Sequence, residues 1–443
     1  METTYIKKIL TSSRIIILGF AGVILVGTLL LMLPISSNGS EGTSFINALF
    51  TATSATCVTG LIVYDTATYW SGFGQAVILF LIQIGGLGVI TIAVALAVIA
   101  KKRITLMQRS FMQDSISAPK MGGIVRLTGF IIRGVFLMEL IGALMMAPRF
   151  VRDHGWVGIW MAVFHSISAF CNAGFDILDR GNPFSSLTSY VGEPVINITI
   201  MLLIIIGGLG FITWEDIKTY GIHIRKYRMQ SKVILTMTTV LLIVPAVYFF
   251  FWEFANYPMK ERILISLFQS VTPRTAGFNT VPLGTMSEAG QGIFILLMLI
   301  GGAPGSTAGG MKITTIAVLV ATAFAVFKRK ESPKYYGRRI ADETIRNAAT
   351  IFLLYTSLFF VGAMVISRIE NLPLLTCLYE TASAVGTVGL TLGITPHLGV
   401  VSKLILIFLM YFGRVGGLTL IFAALPEKGS HHSRLPQEKI TVG

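Results

Sequence analysis

The chain has 443 residues, of which 53% are hydrophobic and only 13% charged, with a formal net charge of +14 and a mean hydropathy of +0.75. Soluble domains carry about 25% charged residues, and a soluble chain this apolar could not cover its surface with polar groups. The composition excludes a disordered chain, a secreted disulfide scaffold and an ordinary cytosolic protein, and it points to an all-α polytopic membrane protein.

Eight apolar runs are long enough to cross a hydrocarbon core of roughly 30 Å, which takes ~20 helical residues. They lie near 15–33, 76–100, 124–147, 195–214, 233–252, 291–327, 350–369 and 400–425. Lys7, Lys8 and Arg14 precede the first run, as in a signal peptide, but it lacks a small-x-small cleavage site and is long for such a segment, so it reads as a true span. Basic residues then recur after every second run. Lys101, Lys102, Arg103 and Arg109 follow the second; Lys218, Arg225, Lys226 and Arg228 the fourth; Lys328, Arg329, Lys330, Lys334, Arg338 and Arg339 the sixth; Lys428, Arg434 and Lys439 the eighth. All fall on one side, which is predicted to be the cytoplasm, with the N-terminal 1–14 and the tail 426–443 both inside. This placement, in loops facing an anionic leaflet, explains the positive charge without nucleic acid.

After each odd-numbered span comes a stretch of about a dozen less apolar residues, too short to span and suited to a re-entrant segment. The first runs from Ala48 and ends in Val58-Thr59-Gly60-Leu61; the second runs from Ala162 and ends in Asn172-Ala173-Gly174-Phe175. The third runs from Ser266 to Thr275-Ala276-Gly277-Phe278, and the fourth from Cys377 to Thr387-Val388-Gly389-Leu390. A second glycine motif recurs in the next span: Gly85-Gly-Leu-Gly88, Gly207-Gly-Leu-Gly210, Gly301-Gly-Ala-Pro-Gly305 and Gly413-Arg-Val-Gly416. The sequence is therefore read as four fused helix–pore helix–helix repeats, 15–100, 124–214, 233–327 and 344–425, in a pseudo-fourfold arrangement around one central pore.

Backbone at membrane depth must be satisfied by protein or line a watery cavity. Four short helices aiming their partly negative carbonyl ends at one axis favour a cation there, and carbonyl oxygens of the following residues can replace its water shell. The sixteen residues of the four glycine tetrapeptides are accordingly the candidate filter, with potassium as the metal held there; Thr387-Val388-Gly389 matches the start of the TVGYG potassium filter. As single loops these glycines would read as helix caps; it is their recurrence in register that favours the pore. Cys57 and Cys171, each three residues before its glycine, read as packing behind the filter and not as ligands or a disulfide.

The sixth run would extend roughly 50 Å as one helix at ~1.5 Å per residue, too long for the bilayer. Its middle holds Gly301, Gly302, Pro304, Gly305, Ser306, Thr307, Gly309 and Gly310, and glycine and proline break helices. Two half-helices joined by an intramembrane loop below the filter are expected, with the loop as the gate. A phosphate loop fails here because Lys312 is misplaced and is followed by Ile313; a dinucleotide fold fails because no strand precedes the other glycine motifs, which read as close-packing residues. Arg414 lies inside the last span, where charge is expensive and faces a cavity or partner. It takes the place of Gly86, Gly208 and Gly302, and is expected to donate to loop carbonyls and hold the gate closed. Arg274 is expected to brace the third loop, and His165 and Glu380 to be buried hydrogen-bonding groups.

These features together resemble the Trk/Ktr/HKT superfamily of cation transporters, and most closely its KtrB type. Thr272-Pro-Arg-Thr-Ala-Gly-Phe278 and the stretch from Gly301 to Lys312 carry the resemblance, which covers nearly the whole chain. It implies potassium uptake across a bacterial plasma membrane, a mobile intramembrane gate loop, and a homodimer seated on a cytosolic ring of KtrA-type nucleotide-binding subunits. In that family a filter glycine in every repeat goes with potassium, and a serine in the first repeat with sodium permeation in some plant relatives; Gly60 therefore implies potassium. No cofactor is expected beyond the transported ion. A sodium-coupled symporter is the rival, although these repeats share one orientation and are not inverted. A membrane enzyme would need clustered His, Asp or Glu within the spans, and none is found.

Overall fold

The computed structural model describes residues 12–39, 42–89, 91–92, 106–116, 122–178 and 183–424. In chain order its helices are α1 (Ser12–Leu31), α2 (Phe45–Thr56), α3 (Gly72–Leu87), α4 (Leu106–Ile116), α5 (Ile124–His154), α6 (Val157–Phe170), α7 (Pro194–Gly208) and α8 (Phe211–Tyr220). They continue as α9 (Met229–Tyr248), α10 (Met259–Val271), α11 (Glu288–Leu299) and α12 (Ile313–Phe327). A two-stranded antiparallel hairpin, β1 (Lys334–Tyr335) with β2 (Arg338–Arg339), leads to α13 (Asp342–Glu370), α14 (Leu374–Gly386), α15 (Val400–Val415) and α16 (Gly417–Ala424).

Among the described residues, α1, α5, α9 with its extension to Glu253, and α13 are each long and apolar enough to cross a membrane alone. Their outer faces carry bare hydrocarbon, including Leu18, Leu29, Leu144, Val244 and Leu353. Such a face suits acyl chains and would be an aggregation hazard in water. Each long helix is followed by a short one, α2, α6, α10 and α14, of 12, 14, 13 and 13 residues. At ~1.5 Å per residue these reach only about two-thirds of the way across. Each is pinned by a wholly buried aromatic side chain: Phe50, Phe164, Phe268 and Tyr379. In lipid such burial stabilises through packing, not through release of water.

The expected second, fourth and eighth spans are not continuous helices. The chain turns at Gly88, Gly210 and Gly416, with φ of 86°, 84° and 92°, and α7 and α8 meet at 97°. The last glycine of each motif supplies a left-handed residue that would strain any side chain. The sequence predicts a break only in the sixth span, because a short Gly-Leu-Gly or Arg-Val-Gly string inside an apolar run carries no loop-length signal. The rest of the second run beyond residue 92, and Lys7, Lys8, Lys101, Lys102, Arg103, Lys428, Arg434 and Lys439, lie outside the described residues.

Candidate functional site

The four short helices end alike. In each, the residue two before the glycine is left-handed although it carries a side chain: Val58 (φ 58°), Asn172 (φ 59°), Thr275 (φ 67°) and Thr387 (φ 51°). The glycines Gly60, Gly174, Gly277 and Gly389 have φ of 89°, 69°, 84° and 95°, while Thr59, Ala173, Ala276 and Val388 between them do not have positive φ. Left-handed β-branched residues are genuine outliers, and such strain persists only where the surroundings over-determine it. A hydroxyl behind each end does part of that holding. Ser54 Oγ accepts from the Gly60 amide at 3.1 Å and Ser383 Oγ from the Gly389 amide at 3.0 Å. Ser168 Oγ donates to Phe175 O at 2.7 Å, and Thr272 Oγ1 donates to Phe278 O.

The glycines close a circuit. A Cβ on Gly60 would strike the carbonyl oxygen of Ala173; one on Gly174 would lie 2.6 Å from Ala276 O; one on Gly277 would strike Val388 O; and one on Gly389 would strike Thr59 O. Each segment thus abuts the next, and the fourth returns to the first. All sixteen residues predicted for the filter are buried here, and the structure brings the four segments to one place. The first glycines of the second motif explain the close approach behind them. Gly85 lies against Thr56 O, Gly207 against Phe170 O and Gly413 against Val385 O, with no room for a methyl group. Cys57, Cys171 and Cys377 are buried free thiols, and Cys171 Sγ fills the space beside Gly86.

Between α11 and α12 the chain leaves the helix and forms a compact loop from Gly301 to Lys312. Its ends are tied by Gly301 N to Met311 O at 2.8 Å and Ile313 N to Gly302 O at 3.0 Å. Its body hangs on the glycine motifs of its neighbours: Ala303 N donates to Gly208 O at 3.0 Å, Gly310 N to Gly413 O at 3.1 Å, and Phe211 N to Gly305 O at 2.8 Å. Pro304 cannot donate and is partly exposed; Ser306 Oγ donates to Ala303 O at 2.6 Å. Gly309 sits against the Thr387 hydroxyl and Gly310 against Gly386 O. Thr307 Oγ1 lies 3.1 Å from both Phe170 O and Asn172 Oδ1, and Asn172 Nδ2 donates to Thr275 Oγ1 at 3.2 Å. The loop therefore touches the ends of two short helices directly. Arg414 donates from Nη1 to Thr307 O and from Nη2 to Gly85 O and Gly86 O, the last at 3.1 Å.

The other singled-out groups are placed too. Arg274 is buried and reaches Thr238 Oγ1 of α9 at 3.4 Å; His165 Nδ1 bonds Met161 O at 2.7 Å; and Glu380 accepts from Thr391 and Thr395. Sequence reasoning missed the hydroxyls Ser54, Ser168, Thr272 and Ser383. A hydroxyl six residues before three of the glycines, and five before the third, was the available signal. It also missed Lys312, whose Nζ donates to Ala308 O at 2.8 Å and ties the end of the loop to its middle. Among the described residues no group of His, Cys, Asp and Glu could hold a metal.

The TrkH family of cation transport proteins matches residues 11–433 of the chain. The chain is 40% identical to the potassium/sodium uptake protein NtpJ of Enterococcus hirae, over 99% of this chain and 98% of that one. It is 38% identical to the Ktr system potassium uptake protein B of Bacillus subtilis, over 98% and 97%. The crystal structure of the potassium transporter TrkH from Vibrio parahaemolyticus shares the fold, with a TM-score of 0.75 over 94% of this chain and 84% of that one at 20% identity. These relatives are named as transporters and not as enzymes.

Proposed function

The chain belongs to the TrkH family of cation transport proteins, and from that premise we propose that it takes up potassium through a channel-like pore. Its filter is the four glycine tetrapeptides, and its gate is the loop from Gly301 to Gly310 with Arg414. The observation that carries this reading is the closed circuit of Gly60, Gly174, Gly277 and Gly389, each against the backbone of the next segment. Positive φ before and at each glycine, with the residue between them not positive, turns successive peptide planes so that their oxygens can face one side, as a dehydrated cation requires. The short helices add their negative ends. Four repeats of one orientation, 15–100, 124–214, 233–327 and 344–425, surround the axis.

The ion runs down its electrochemical gradient, with about 2.3 kcal/mol gained per 100 mV of inside-negative potential. The gate is closed when Arg414 holds Thr307 O. The basic loops face the cytoplasm of a bacterial cell with both termini inside. The protein works as a homodimer on a cytosolic ring of KtrA-type nucleotide-binding subunits, as its resemblance to the KtrB type implies. The test is growth of a potassium-uptake-deficient bacterium at low external potassium, which the wild-type chain restores. Failure to restore growth at normal membrane abundance overturns the reading. The name of the Enterococcus hirae relative, potassium/sodium uptake protein, gives weight to a second reading, sodium-coupled potassium symport. Rubidium uptake that vanishes without sodium at a clamped voltage would favour it.

A further inference from the structure

Two cavities adjoin where the first turn of α9 meets the β1–β2 hairpin. One, of about 370 Å³, is walled mainly by apolar side chains, among them Val233, Ala317, Ala348 and Ile351; Arg339 also lines it, and Pro304 of the gate loop borders it. The other, of about 440 Å³, is lined by Arg225, Lys226, Lys232 and Arg338 with the rings of Tyr227 and Tyr336, and no carboxylate lines it. Met229 belongs to both. The hairpin borders both as well, giving Tyr335 to the apolar cavity and Tyr336 to the basic one.

Among the described residues the charges in the basic cavity have no acidic partner. No described carboxylate pairs with Arg225, Lys226 or Arg338. Nearby Arg228, by contrast, is neutralised by Glu215 at 2.8 Å and Asp216 at 3.5 Å. Lys232 is held in place, its Nζ donating to Arg225 O at 2.6 Å and lying over the Tyr336 ring. Four cations kept together without an anion call for one. The same stretch of chain also presents Ile222, 91% exposed, and Ile224, 57% exposed. Bare isoleucines interleaved with cations and tyrosines mark a segment lying at a membrane boundary.

We propose that the paired cavities bind one anionic phospholipid, its phosphate headgroup among Arg225, Lys226, Lys232 and Arg338 and an acyl chain in the apolar cavity beside Pro304. A free phosphate or a nucleotide matches the cations but leaves the apolar cavity and the exposed isoleucines without a purpose; a lipid uses all three. The headgroup is read by charge, as polybasic membrane-facing clusters read anionic lipids. The chain end lies against the gate loop, so this lipid is part of the loop's packing. The inference rests on the pore reading only in naming that loop a gate.

The test measures binding, so that its failure leaves the transport reading intact. The purified full-length protein is given phosphatidylglycerol, phosphatidylcholine or inorganic phosphate, and the retained lipid is counted by native mass spectrometry. The expected result is a preference for phosphatidylglycerol of about tenfold. It falls to the phosphatidylcholine level in R225Q/K226Q, and falls also in A348F, which fills the tail cavity and keeps every charge. Matching elution volume and melting temperature check that the variants fold. Equal retention of the two lipids overturns the proposal. So does displacement of phosphatidylglycerol by inorganic phosphate alone, which makes the site a free-anion site. So does unchanged lipid retention in R225Q/K226Q, which leaves these cations without a part in lipid binding.

Discussion

Arg414 donates through its guanidinium to the carbonyl oxygen of Thr307, joining α15 to the middle of the loop from Gly301 to Lys312. The same group also holds Gly85 O and Gly86 O, so one side chain bridges three elements. A charged donor of this kind is worth about 1.5–3 kcal/mol per bond, and each 1.4 kcal/mol is a tenfold change in an equilibrium. Arg414→Ala is therefore expected to raise rubidium uptake about tenfold by releasing the loop. Arg414→Lys, a point charge without the planar fork, is expected to fall between. Unchanged uptake in both, at normal membrane abundance, removes Arg414 from the gate.

Gly60 stands at φ 89° against the carbonyl oxygen of Ala173. Any side chain there meets both a strained backbone, costing about 1–2 kcal/mol, and the neighbouring segment. Gly60→Ser is expected to displace the second segment and loosen the circuit, lowering the ratio of potassium to sodium uptake several-fold with total flux reduced less. Paired rubidium and sodium tracer assays measure it. A variant with the wild-type ratio would show that this glycine does not shape the filter.

Much of this architecture is legible in the sequence because it rests on spacing. The long apolar runs, the short helices, the recurring tetrapeptides and the broken sixth span all follow from length, hydropathy and glycine register, and α11 and α12 flank the loop as the 291–327 run implied. The breaks at Gly88, Gly210 and Gly416 were hidden because they cost no length: a single left-handed residue redirects the helix. The hydroxyls behind the glycine tetrapeptides were hidden because Ser54 and Ser383 look like ordinary small polar residues of a helix. Their importance comes from the amides of Gly60 and Gly389, which only the folded turn aims at them. The contact of Thr307 with Asn172 joins residues 135 apart in sequence, and no local pattern reports such a pairing.

The hydroxyls can be tested as a pair. Ser54→Ala and Ser383→Ala each leave a buried amide without its acceptor, a loss of about 1–3 kcal/mol. Each is expected to lower the melting temperature of the detergent-solubilised protein by a few degrees and to reduce rubidium uptake. Ser54→Thr and Ser383→Thr keep the oxygen and are expected to restore uptake in part. If both alanine variants match the wild type in melting and uptake, the turn holds itself without them.

The loop is also tied to two of the four glycine segments. Thr307 Oγ1 is 3.1 Å from Asn172 Oδ1, and Asn172 Nδ2 reaches Thr275 Oγ1, so the loop, the second segment and the third form one hydrogen-bonded chain. Thr307→Val keeps shape but removes the hydroxyl, whose single proton is shared between Phe170 O and Asn172 Oδ1, leaving both oxygens without it. Two effects should then move together: rubidium uptake rises because the loop is less firmly held, and selectivity for potassium over sodium falls because Asn172 is free to shift. Thr307→Ser keeps the hydroxyl and should leave both near wild type, which a change of bulk alone would not do. Adding Thr307→Val to Arg414→Ala tests whether the two act on one contact. Residues sharing a partner couple by about 0.5–3 kcal/mol, whereas independent sites add. Uptake in the double variant should therefore fall short of the product of the two single increases. Full multiplicative behaviour with unaltered selectivity would mean that Thr307 holds the loop from a position that the filter does not feel.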